Sequence, residues 1–198
     1  MIAILKRHVM KHKEKFRFYD SITGMSKILR RYFVMNSFDG ALTIFGFLLG
    51  SFAAQLQDAH LIITIGLSTA VAVGVSGFTG ALLTEKAERE REVKSMEKAL
   101  QKDLSNTDYK RAYDFASATA ALVDGASPIL AAVVLLIPFF ILPAADAYLY
   151  SFGLALVLFF GLGIFLGTIS KENIIMTGIK LLAAGIFSMI VILLLGIA

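Results

Sequence analysis

Five long apolar blocks, each about as long as a bilayer is thick, leave this chain little choice of fold. They run from about Tyr32 to Ala54, Leu61 to Thr84, Ala112 to Leu142, Ala147 to Ile169 and Ile174 to Ala198. A helix crossing the hydrocarbon core needs ~20 mostly apolar residues, and backbone groups in lipid must be bonded within the segment. A soluble domain of 198 residues could not hide a 57% hydrophobic content in its core, so the excess faces lipid. The sequence therefore predicts an all-α integral membrane protein with five transmembrane helices.

Basic residues fix the expected orientation, because Lys and Arg concentrate in cytosolic loops. Nine of them, from Lys6 to Arg31, precede the first block. Eight more, from Lys86 to Arg111, lie between the second and third blocks, and Lys171 and Lys180 lie near the start of the fifth. The connections Gln55–His60 and Pro143–Asp146 contain neither Lys nor Arg. The N-terminus is expected in the cytosol and the C-terminus outside, in the cell membrane if the host is prokaryotic. The net charge of +4 thus reports topology rather than nucleic-acid binding.

Four regions follow. Residues 1–31 read as a basic amphipathic segment suited to anionic headgroups of the inner leaflet, or as a solvated basic tail. Residues 32–84 hold spans one and two, 85–111 a cytosolic acidic and basic helical connection, and 112–198 spans three to five. A weak parallel repeat relates spans one and two to three and four, leaving the fifth unpaired. Phe38-Asp39-Gly40-Ala41 matches Val123-Asp124-Gly125-Ala126, and Gly80 and Glu85 match Gly167 and Glu172.

The chemistry is expected where carboxylates interrupt apolar helices. A charge inside a span costs roughly 2.5–3.5 kcal/mol on insertion scales, so each such residue is a candidate for function. Asn36, Asp39 and Thr43 fall at i, i+3 and i+7 and share a helix face. Asp124 lies deep in span three, and Pro128 one turn on cannot bond its carbonyl, leaving backbone oxygen nearby. Oxygen donors suit hard or borderline divalent cations, and a desolvated aspartate can exchange a proton for a metal. Hydrogen bonding between helices is the alternative role for both aspartates. Past span two, Glu85, Glu88 and Glu92 line one face of a continuing helix and could collect cations at the cytosolic mouth; solvated Glu/Arg/Lys pairing is the competing reading. Gly46 with Gly50, Gly74 with Gly77 and Gly80, and Gly163 with Gly167 suit close helix packing.

Several classes are excluded. Gly74-Val75-Ser76-Gly77 looks like an intramembrane serine protease motif, but His8, His12 and His60 all lie outside the spans and supply no base. There is no phosphate-binding Gly-rich loop for ATP-driven transport, no zincin motif and no cysteine.

Asn36-Ser-Phe-Asp39-Gly40-Ala-Leu-Thr43 resembles the span-one signature of vacuolar iron transporters and yeast vacuolar iron/manganese carriers. Ser76-Gly-Phe-Thr-Gly80-Ala-Leu-Leu-Thr-Glu-Lys86-Ala-Glu88 is similar to that family's Gly-rich second helix, and Leu-Ile-Pro138-Phe-Phe to the end of its third. The resemblance implies a divergent prokaryotic-type member: a homodimeric, proton-coupled exporter of cytosolic Fe²⁺ or Mn²⁺. Asp39 would match the family's transport-path aspartate, and Glu88, with Glu85 and Glu92, its metal-collecting glutamates. Gly77 stands where the family carries methionine, removing a soft ligand, and the cytosolic connection is abbreviated to about twenty residues between Glu90 and Lys110.

The expected function is therefore a divalent metal/proton antiporter, not an enzyme. It would have no permanently bound cofactor, the metal as substrate and H⁺ as counter-ion. Asp39 would be the mid-path ligand, supported by Asn36 and Thr43. Glu85, Glu88 and Glu92 would form the entrance, with Asp124 and Glu172 as repeat-related candidates. A structural or regulatory membrane protein and an uncoupled cation channel are the alternatives.

Overall fold

A computed structural model describes residues 14–194 and consists, over that range, of helices joined by short connections. A short helix α1 covers residues 14–23. It is followed by α2 (Met25–Ala53), α3 (Ala59–Leu100), α4 (Asp108–Ile141), α5 (Ala144–Ser170) and α6 (Ile174–Leu194). Each of α2 to α6 is long and apolar enough to cross a membrane. The part of the expected amphipathic segment in residues 1–13 lies outside the described residues.

Local sequence explains the breaks. Gly24 takes a left-handed conformation, with φ of 61°, between α1 and α2, where a Cβ would be strained. Asp58 caps α3 by accepting from the Leu61 N–H at 3.1 Å, and Thr107 caps α4 through the Lys110 N–H. Pro143 precedes α5, where its fixed φ favours helix entry.

Helix α4 is the hub, packing against α2, α3 and α5, while α6 rests mainly on α5. Its apolar half shares a core with α2, α3 and α5, built from Phe45, Leu48, Ile62, Leu135, Leu136 and Phe159 among others. Phe45 meets Phe152 and Phe159 edge-on, with ring centroids 5.7 and 5.6 Å apart, the geometry that suits aromatic quadrupoles. Tyr148 is fully buried and donates to the Leu56 carbonyl at 2.9 Å, fixing the α2–α3 connection to α5.

Small residues set the crossings. A Cβ on Gly40 would overlap the backbone of Pro128, and one on Gly74 would lie 2.6 Å from the Gly125 carbonyl. Gly163 and Gly167 admit α6 in the same way, at Gly178 and Ile174. With lipid as apolar as the side chains, such close backbone approach is a principal source of helix association. Gly80 has no such partner: its Cβ would meet open space.

The 42 residues of α3 span about 63 Å, twice the hydrocarbon thickness, so its C-terminal half projects beyond the bundle. There Val93 packs with Leu104 and Tyr113, while Tyr19 of α1 and Met25 pack on Ala112 and Ala116 of α4. The basic end is thus a folded extension of α1, α3 and α4, in which α3 runs unbroken to Leu100.

Candidate functional site

Three helices bring their polar side chains together just where the apolar bundle passes into this extension. Asn36 of α2 donates one amide hydrogen to Oδ1 of Asp124 on α4, and its amide also reaches the Tyr32 carbonyl at 2.9 Å. The Tyr32 hydroxyl donates to Glu85 Oε1 of α3 at 2.8 Å. The other carboxylate oxygen of Glu85 takes the Arg89 Nε–H at 3.2 Å, and the Arg89 guanidinium lies over the Tyr113 ring of α4, 5.4 Å from its centroid. One polar thread therefore runs from Asp124 to Arg89 through α2, α3 and α4.

Its ionisable members are buried: Asp124 is 8% exposed, Glu85 8% and Arg89 6%. Burying a carboxylate without a partner would be very costly, and here each one has a donor. Gly77 makes room for Asp124. A Cβ at position 77 would lie 2.7 Å from Asp124 Oδ2 and 3.5 Å from its backbone oxygen. That backbone oxygen is the one Pro128 cannot bond, so side-chain and main-chain oxygens of Asp124 both border the same glycine. Ser127 and Ser117 spend their hydroxyl protons on carbonyls of their own helix.

The remaining candidates separate. Asp39 and Thr43 lie on the exposed side of α2, while Asn36 is half-buried toward α4, so the three-residue stripe straddles the edge of the interface. The Thr43 hydroxyl donates to the Asp39 carbonyl at 2.7 Å, leaving its oxygen lone pairs to face outward. Met35 is beside this stripe and is 54% exposed. Glu88 and Glu92 are exposed on the α3 extension, whereas Glu85 is drawn inward by Arg89 and Tyr32. Glu172 is exposed in the α5–α6 connection. Among the described residues, no three carboxylate or imidazole groups converge closely enough to hold a metal ion. A groove along α3 is lined by Lys86, Arg91, Lys94 and Lys98 against Glu90 alone, a charge balance that repels divalent cations.

Sequence reasoning missed Tyr32 and Arg89. The spacing of Arg89 at i+4 from Glu85 was a usable signal, but the same spacing occurs in any solvated charge run.

A model of the VIT family matches residues 30–114, which include Asn36, Asp39, Thr43, Glu85, Arg89 and Glu92 but neither Asp124 nor Glu172. An uncharacterized protein of Methanocaldococcus jannaschii is 35% identical over 161 residues, covering 79% of this chain and 82% of that protein.

Proposed function

The chain belongs to the VIT family, a family of membrane metal-ion transporters, and on that premise we propose that it is a multi-pass proton-coupled antiporter moving Fe²⁺ or Mn²⁺ out of the cytosol. The observation that carries this reading is the polar thread of Asn36, Asp124, Tyr32 and Glu85, with both carboxylates buried where the apolar bundle passes into the charged extension. Intramembrane carboxylates are expensive and mark ion or proton pathways.

The basic end faces the cytosol, a placement that the distribution of Lys and Arg supports. There Glu88 and Glu92 collect the cation and pass it to Glu85. Asp39 is the mid-path ligand and proton acceptor, with Asn36 and Thr43 beside it and Asp124 behind. An exposed carboxylate on an apolar helix face needs cover in lipid, and a second copy of the chain laid against α2 provides it. The working unit is therefore a homodimer. The N-terminal basic segment contacts anionic headgroups, and Glu172 is a secondary ligand at the same end. With no cysteine and no histidine in the spans, the donors are oxygens, with Met35 one turn before Asp39 as a thioether.

A second reading has specific support: Asp124 and Glu85 are each satisfied within one chain, as helix-locking groups would be. Flux into liposomes with internal pH recorded separates the readings. Antiport predicts Fe²⁺ or Mn²⁺ entry with matching proton exit, lost in a folded Asp39→Ala variant. Metal entry at constant internal pH would indicate a channel. No flux under any gradient would leave helix locking as the function of these carboxylates, and Asp39→Asn would then be tolerated.

A further inference from the structure

The buried guanidinium of Arg89 already occupies the place at Glu85 that an incoming cation would take. Both oxygens of Glu85 are engaged, Oε1 by the Tyr32 hydroxyl and Oε2 by Arg89 Nε. The pair is nearly sealed from solvent, with side chains 7% and 10% exposed. The guanidinium is also held from its other side by the Tyr113 ring at 5.4 Å. A solvated Glu/Arg pair would need none of this enclosure. Glu88 and Glu92, which flank Arg89 on the same helix, remain exposed and can receive an ion first.

We propose that Arg89 is a tethered cation that plugs Glu85 while the transport path is empty, and that a divalent ion entering from Glu88 and Glu92 must displace it. The inference rests on the transport reading and adds a residue to it that determines affinity and entry rather than binding metal itself. Like charges exclude each other: a guanidinium and a divalent ion cannot share one desolvated carboxylate. Ion occupancy and Arg89 docking are therefore alternatives. Glu92, three residues on along the same helix, is within reach of the released guanidinium. Docking taxes affinity by the fraction of time the site is open, so a plug seated about nine-tenths of the time weakens apparent binding about tenfold.

The test uses the full chain in detergent, Mn²⁺ alone as the probe, and two readouts. Binding isotherms are measured for wild type, Arg89→Gln and the Glu85→Gln/Arg89→Gln double variant. In wild type, labelling of Arg89 by phenylglyoxal is followed by peptide mass spectrometry with and without Mn²⁺. The expected result is about tenfold tighter binding in Arg89→Gln, lost in the double variant, together with Arg89 labelling that is slow without metal and at least about fivefold faster at saturation. If Mn²⁺ saturates wild type while Arg89 stays protected, or Arg89→Gln binds no tighter, the plug is overturned and the transport reading stands. If Mn²⁺ binds neither protein, both fall. Should Arg89→Gln fail to fold, the labelling of wild type decides alone.

Discussion

The Asp-Gly-Ala triplets of α2 and α4 are identical in sequence and opposite in surroundings. In each, the glycine faces a neighbouring helix: Gly40 meets Pro128, and Gly125 meets Gly74. The preceding aspartate is turned 100° away on the helix wheel. For Asp39 that turn leads to the exposed face of α2. For Asp124 it leads into the seam with α2 and α3, where Asn36 and Gly77 receive it. What separates the two carboxylates is the helix face each one occupies, since α2 packs against α3, α4, α5 and α6 and is no less surrounded than α4. The hub helix satisfies its aspartate within the chain, and α2 leaves its own on an exposed face, available to an ion or a second copy.

The comparison can be broken at the glycine first. Gly40→Ala places a Cβ in the Pro128 backbone, which cannot yield, so the α2–α4 crossing must open at a cost of about 3 kcal/mol. Thermal unfolding in detergent should show a fall of several degrees and poor recovery of monodisperse protein; an unchanged midpoint would mean the two helices do not meet there. Asp39→Ala should do the reverse. It should keep the midpoint within about 2 °C and cut metal flux at least about tenfold, the equivalent of 1.4 kcal/mol in the barrier. Equal losses of stability and flux would show that Asp39 packs as Asp124 does.

Smaller effects sharpen the contrast. Gly77→Ala pushes on the free end of a carboxylate, so Asp124 can swing aside but gives up the Asn36 amide. A stability loss of about 1–2 kcal/mol is expected, and a parallel Asn36→Ala variant should remove most of the difference. Gly80→Ala meets nothing within 4 Å in a helical segment and should stabilise by about 0.5–1 kcal/mol, with flux unchanged. A loss there would reveal a partner surface over Gly80.

Five spans were legible because their length and hydropathy are properties of single segments, readable without knowing their neighbours. The start of α6 at Ile174 and the end of α2 near Ala54 fall within a residue of the expected bounds. The same reading began span one at Tyr32, whereas α2 starts seven residues earlier, since a helix continues into water where hydropathy no longer marks it. Partners across helices were not legible. Asn36 and Asp124 are 88 residues apart and Tyr32 and Glu85 are 53 apart, and the pairing depends on how each helix is rotated about its axis. In soluble proteins an apolar stripe reports that rotation. Helices that are apolar all round carry no such stripe, so only glycine spacing hints at the buried side. It was informative for Gly74 and Gly163 and misleading for Gly80, which packs against no helix among the described residues. The burial of Arg89 was hidden for a related reason, because its environment comes from Tyr113 on another helix.

The uninterrupted length of α3 makes it a lever. For a tilt about the backbone contact at Gly74 and Gly125, the arm from there to Leu100 measures about 39 Å. A tilt of about 5° there would swing the tip by roughly 3 Å on that arm length. Gly77 and Glu85 ride on the short inner part of the same rod, so they would move by only a fraction of that distance. Forces applied far from the bilayer, on the Lys- and Glu-rich tip, would thus arrive at the seats of Asp124 and Arg89 reduced in travel and increased in force.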